Sequence, residues 1–344
     1  MPSFLQKPSG RSSRMKKIAT LTAVAALGFG VAMEAHAEAD ALRVAKQYGL
    51  GYIQLMIMEE EGLVEKHLQK AGMDDVTVEW ATFRSSDVMN DALISGNIDF
   101  ASLGPTGIVT IWERTKGSYD VKVAAGLNAL PWILTVRDPS IKSITDFDED
   151  DRIAVPAVKV SGQAAALQMA AAKQWGDDQF ERLDHLTVSL SHPDATAAML
   201  GGPSEIVANF TSPPYGHRQL KNPNIHAILT SGDVLGGLFS FNVIATTAAF
   251  REENPTLYNA FLGALQEATD RVNADMDWAA DMYLKISNDP TPKEEILEIM
   301  QDEEARFTTE PLNLGAFSDF MARTGRIKEA PEDWRAEMLF PEAQ

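Results

Sequence analysis

Four stretches of this chain place small polar residues or glycine where an apolar strand-like run gives way to a helical one. They are Ser85 and Ser86, then Gly104, Pro105 and Thr106, then Ser161, Gly162 and Gln163, and the segment 209–215 with Phe210, Ser212 and Tyr215. The chemistry such positions support is recognition. The first N–H groups of a helix lack intrahelical partners and carry the positive end of its macrodipole, so they receive an oxyanion without any cationic side chain. Glycine lets the backbone approach a ligand closely, and a serine or threonine can cap its helix while still offering a hydroxyl. Tyr48, Trp132, Phe210, Tyr215 and Phe239 are the aromatic candidates for a cleft wall, although most buried aromatics only pack.

Signatures of catalysis or metal binding are missing from the sequence. The 6 histidines form no HExxH pair, no G-x-S-x-G elbow occurs, and there is no phosphate-cradling GKS or GKT loop. The acidic run 146–151, DFDEDD, lacks the glycine and terminal glutamate of a calcium loop and reads as a solvated turn, and Glu59, Glu60 and Glu61 read as a wet helix face. Asn209-Phe210-Thr211 is formally a glycosylation sequon, but its place at a predicted cleft edge argues against a bulky sugar. The expectation is therefore no catalytic residue, no metal and no cofactor.

The elements that must position these turns are legible as a repeat. The segment 85–106, SSDVMNDALISGNIDFASLGPT, is echoed by 192–213, HPDATAAMLGGPSEIVANFTSP. Each copy carries an aspartate suited to the first turn of a helix, Asp87 or Asp194. Each helix then stops at glycine, Gly96 or Gly201-Gly202, and each apolar strand runs into a proline-flanked turn. Around the copies, strands are expected at 42–45, 76–80, 121–126, 133–137, 153–156 and 186–190. Helices are expected at 54–69, at 163–175, and over 257–276, 278–286 and 294–307. Such βα alternation predicts an α/β protein of two doubly wound lobes, with a ligand cleft at the carboxyl ends of the strands. The predicted lobes are discontinuous: 38–129 and 240–344 form the first and 130–239 the second, so two crossings could hinge.

With 344 residues, 45% of them hydrophobic, the chain can bury two ordinary cores. Arg11, Arg14, Lys16 and Lys17 precede an apolar run over 18–31 and then Ala35-His36-Ala37. That run of about 14 residues fits a secretory leader and falls short of the ~20 needed to span a bilayer. Residues 1–37 are accordingly expected to be a cleaved signal peptide, with Met1 or Met15 as the start and export to a periplasm as the result. The chain has no cysteine, hence no disulfide and no lipid-attachment site. Its net charge is −19 and removing a basic leader makes it more acidic still, which disfavours nucleic acid as a partner. A monomer is expected.

The stretches FRSSDVMNDALISGNIDFASLGPT, ILTVRDPSIKSITDF, RIAVPAVKVSGQAAAL and LSHPDATAAML, in this order, resemble the periplasmic solute-binding components of ABC transporters. The similarity is to the nitrate/sulfonate/taurine-binding family with its thiamine-pyrimidine-binding relatives, and it covers nearly the whole mature chain. It implies a type II-like periplasmic binding protein that closes on a ligand at the hinge and delivers it to a membrane permease and its ATPase. It also implies ligand contacts from Ser85 and Ser86, Gly104 to Thr106, Ser161 to Gln163, and the 209–215 stretch. Relatives often carry a tryptophan near Phe210, which this chain lacks, and the turn at Gly104 has no aromatic to stack on a pyrimidine. The cysteine-rich segment on which fungal pyrimidine-synthesising relatives depend is also absent. No stacking pair for a flat ring is placed, so a compact organic anion of the sulfonate, taurine or nitrate kind is the favoured ligand. A neutral heterocycle such as a thiamine-pyrimidine precursor stays open, as does an exported enzyme using the same cleft.

Overall fold

The apolar runs pair into two separate sheets in a computed structural model that describes residues 38–344. The expected leader over 1–37, and with it the choice between Met1 and Met15, lies outside those residues. Strands β1 (Ala41–Lys46), β2 (Thr77–Thr82), β3 (Phe100–Leu103) and β4 (Lys122–Ala129) come first. Then follow β5 (Ile133–Val136), β6 (Arg152–Val155), β7 (Thr187–Ser189), β8 (Ile206–Thr211) and β9 (His226–Thr230), and the series closes with β10 (Asn242–Thr246) and β11 (Arg306–Phe307). The first sheet has the order β11-β4-β10-β3-β1-β2 and the second β7-β6-β8-β5-β9.

Both sheets are parallel at one end and antiparallel at the other. Strand β1 runs parallel to β2 and β3, and β6 runs parallel to β7 and β8. The antiparallel members are the edge strand β11 and the strands that cross over, β5 and β10. Strand β5 enters the second sheet between β8 and β9, and β10 returns to the first sheet between β3 and β4. In that return Asn242 comes to lie opposite Asn128.

The helices are α1 (Ile53–Glu60), α2 (Leu63–Lys70), α3 (Ser86–Ile94), α4 (Pro105–Thr115), α5 (Gly162–Trp175), α6 (His192–Leu200), α7 (Tyr215–Leu220) and α8 (Ser231–Leu235). Toward the C-terminus follow α9 (Ala248–Glu253), α10 (Pro255–Ala274), α11 (Met276–Ser287), α12 (Lys293–Met300), α13 (Gly315–Arg323) and α14 (Trp334–Met338). Helix α1 is buried from Ile53 through Met58 because it is covered by α10 and α11, so its sequence is apolar nearly all round. Behind the first sheet Phe100 stacks on Phe261 at 3.9 Å between ring centroids, which ties β3 to α10. Glu38 fixes the start of the described chain to the same helix, its carboxylate accepting from the N–H groups of Thr256 and Leu257 at 2.9 Å each.

Three local expectations need correction. The helix expected over 54–69 is two helices, because Gly62 takes φ +59°, a left-handed conformation that ends α1 and starts α2. The helix expected over 294–307 ends at Met300, and Arg306 and Phe307 pair with β4 as an edge strand. In the repeat, Gly96 takes φ +71° as a left-handed stop, whereas Gly201 is extended, at φ −72° and ψ −169°. The second copy thus stops its helix by a different backbone route.

Candidate functional site

A cavity of about 30 Å³ lies where the carboxyl ends of the parallel strands of both sheets meet. Its first-sheet wall is built from the turn after β1 and the helix starts after β2 and β3. Ser86 Oγ accepts from the Gly104 N–H at 3.0 Å and from Gln47 Nε2 at 3.3 Å, so one hydroxyl joins these three turns. Ser85 is the N-cap residue of α3, yet its side chain does not cap the helix; its Oγ is buried with no hydrogen-bond partner. Asp87 follows in the first turn of α3, with Oδ1 likewise buried and unpaired.

The rest of that wall comes from β10 and the turn before α1. Tyr52 donates its hydroxyl to Asn242 Oδ1 at 3.0 Å, and Phe241 stands edge-on to Tyr52 with ring centroids 6.3 Å apart. Behind them Asn128 Nδ2 and Asn242 Nδ2 both donate to the Gly51 carbonyl, at 2.6 and 3.3 Å. Strands β4 and β10 therefore hold the loop that carries Tyr52. Burial holds the Tyr52 phenol protonated far above its usual range.

The second-sheet wall begins with Pro156 and Val160 and continues into α5. Ser161 is its N-cap, with Oγ accepting from the Ala164 N–H at 3.2 Å. The next two N–H groups, of Gly162 and Gln163, are first-turn donors without intrahelical acceptors. Trp132 lies against Gly162, is 1% exposed, and keeps its indole Nε1–H unpaired. His192, at the start of α6, pairs Nδ1 with Thr211 Oγ1 at 2.8 Å and stacks on Tyr215 at 5.5 Å. Desolvation pushes its pKa down to about 4, so the imidazole is neutral at pH 7.

Of the site residues expected from sequence, Ser85, Ser86, Gly104, Trp132, Ser161, Gly162 and Gln163 line this cavity. The others lie off its wall, each for a visible reason. Pro105 is the first residue of α4 and is buried, while Thr106 turns its hydroxyl to the Val160 carbonyl at 2.7 Å, bridging the first-sheet and second-sheet walls. Phe210 is fully buried in β8 between β5 and β6. Ser212 is 1% exposed with its Oγ unpaired, and Tyr215 stacks behind His192 and against Gly49.

Gln47, Tyr52, Asp87 and Pro156, together with Val160, His192, Phe241 and Asn242, also line the cavity without having been singled out as contacts. Asp87 and His192 were visible as helix-start residues of the repeat. Nothing local marks Tyr52 or Phe241. Trp132, an expected wall residue, and Phe241 meet edge-to-face at 5.8 Å, and both line the cavity beside Tyr52.

The helices α3, α4, α5 and α6 all begin at this cavity, and the first turn of a helix carries N–H groups without intrahelical acceptors, fewer in α4 and α6, where Pro105 and Pro193 supply none. Among the described residues that line it there is no lysine or arginine. No cluster of metal-ligating side chains occurs among the described residues.

The NMT1-like family model matches residues 35–286. No curated protein matches the chain in sequence. In fold it is similar to the alkanesulfonate-binding protein SsuA of Xanthomonas axonopodis pv. citri, determined bound to MOPS, with 16% identity, 86% of this chain and 96% of that chain covered, and a TM-score of 0.67. It is similar also to the periplasmic aliphatic sulphonate-binding SsuA of Escherichia coli, at 20% identity, 88% and 98% coverage, and a TM-score of 0.63. The periplasmic nitrate-binding protein NrtA of Synechocystis PCC 6803 shares 15% identity over 84% of this chain and 82% of its own, with a TM-score of 0.59. With its two mixed α/β sheets, the chain belongs to the NMT1-like family and has the fold of periplasmic binding proteins.

Proposed function

We propose that this protein is a periplasmic receptor, without catalytic activity, that captures a small organic anion and hands it to an ABC permease and its ATPase. The observation that carries the reading is the convergence of four helix N-termini on one cavity that also holds the buried, unpaired Ser85 Oγ and Trp132 Nε1–H. Donors of this kind suit a sulfonate, carboxylate or nitrate, and they need no lysine or arginine. Sulfonate- and nitrate-binding proteins of the same fold support the class of ligand.

Capture requires movement of the walls. Sites for small organic molecules span roughly 300–1,000 Å³, against the 30 Å³ enclosed here. The proposed lobes are 38–129 with 240–344 and 130–239, rotating about the crossings at 130–132 and 236–241. Closure is then held by contacts such as Thr106 to Val160 and the Leu50 N–H to the Pro213 carbonyl at 3.4 Å.

The aromatic wall of Tyr52, Trp132 and Phe241 favours a second reading, a flat nitrogen heterocycle packed against those rings. A thermal-shift panel separates the two, because a ligand bound only by the native state at a hundredfold excess over Kd adds about 2.7 kcal/mol of stability. Sulfonates, nitrate and small carboxylates are expected to raise the melting temperature above the effect of hydroxymethylpyrimidine or neutral sugars. A large shift from the heterocycle with none from any anion would replace the first reading by the second. Turnover of a stabilising compound would make the protein an enzyme.

A further inference from the structure

Among the described residues lining the cavity, Asp87 carries the one formal negative charge, and no lysine or arginine balances it. Its Oδ1 is buried without a hydrogen-bond partner. An acid in the first turn of a helix ordinarily serves the macrodipole, and Asp87 does so for α3. That role is fulfilled equally by an acid facing solvent, as with Asp194 of α6, which lies off this cavity. A carboxylate turned into a cavity intended only for an anion would repel it.

The opposite wall has the reverse polarity. Helix α5 has no acidic residue in its first turn, so the N–H groups of Gly162 and Gln163 meet the cavity with their partial positive charge uncompensated. Beside them Trp132 offers an unpaired indole N–H. His192 adds no positive charge, since it is neutral at pH 7. The cavity is thus dipolar, negative at α3 and positive at α5.

Resting on the anion-receptor reading, we infer that the ligand is bipolar, its anionic group held at the start of α5 and an ammonium or other N–H-donating group held by the Asp87 carboxylate. Asp87 then selects for the nitrogen, because a ligand without it leaves the buried Asp87 Oδ1 unpaired. The preference should exceed that from apolar contacts, which discriminate weakly between similar small molecules.

The test uses the mature protein, its Asp87→Asn and Asp87→Ser variants, and two probes, taurine and ethanesulfonate, which share a sulfonate and differ in the amine. Calorimetry should give the wild type a preference for taurine of about tenfold or more. Asp87→Asn should abolish that preference by weakening taurine while leaving ethanesulfonate unchanged or tighter; Asp87→Ser serves if the first variant does not fold. Equal binding of both probes by the wild type, or an unchanged preference in a folded variant, overturns the inference and leaves the anion receptor standing. Binding of neither probe, with a response to hydroxymethylpyrimidine instead, overturns the anion reading and the inference together.

Discussion

Gly162 and Trp132 are fitted to one another: a Cβ built on Gly162 would lie 2.5 Å from the Cη2 atom of the indole. The glycine is helical, so its role here is space and not a special backbone angle. Any side chain at this position must push the ring out of place, and the ring is packed edge-to-face against Phe239, Phe241 and Phe317. Gly162→Val is therefore expected to weaken binding far more than Ser161→Ala, which removes one cap and costs about 1 kcal/mol. Calorimetry on both variants, with melting temperatures as the folding control, checks the order. A folded Gly162→Val protein with unchanged affinity would remove this turn from the site.

Thr106 tests closure separately from ligand contact, because it lies off the cavity wall and spends its hydroxyl on the Val160 carbonyl of the other wall. Thr106→Val keeps the shape and deletes the bridge. A lost hydrogen bond of about 0.5–1.5 kcal/mol shifts the balance away from the closed form and lowers apparent affinity roughly two- to tenfold. Small-angle scattering of the unliganded protein should show a larger radius of gyration for the variant than for the wild type. Identical scattering and identical affinity would mean that this contact does not hold the walls together.

His192 provides a pH dependence whose sign follows from its depressed pKa. Unfolded, the imidazole titrates near 6.5; folded, burial pushes it down to about 4. The unfolded state binds the proton first, so the contribution to stability is complete above 6.5 and is lost as pH falls through 4. His217 is depressed for the same reason, by burial, and acts in the same direction. Denaturant titrations of wild type and His192→Gln should converge as pH drops from 7 toward 4. A difference that stays constant over that range would mean that His192 protonates equally easily in both states.

The sequence by itself determined the punctuation of the chain and much of what it places at the cavity. The repeat with its glycine stops and helix-start aspartates, and the cap at Ser161-Gly162, depend on local backbone chemistry, and α3, β3, α5, α6 and β8 form close to where that chemistry puts them. Only tertiary structure decided what stands opposite what. Tyr52, Phe241 and Asn242 reach the cavity because β10 inserts between β3 and β4, which sets Asn242 against Asn128 and closes both on Gly51. No periodicity in the chain encodes that pairing. Phe210 failed as a wall residue for a related reason: β8 is buried on nearly every side chain, so no alternation marks which of its faces turns toward the cavity. The end of the run at Phe307 is ambiguous in sequence because a pair such as Arg306-Phe307 can close a helix or pair at a sheet edge, and the free edge of β4 decides for the strand. Local sequence fixes where a helix begins; long-range strand order decides which helix beginnings share a cavity, since that depends on residues more than a hundred positions apart meeting in one sheet.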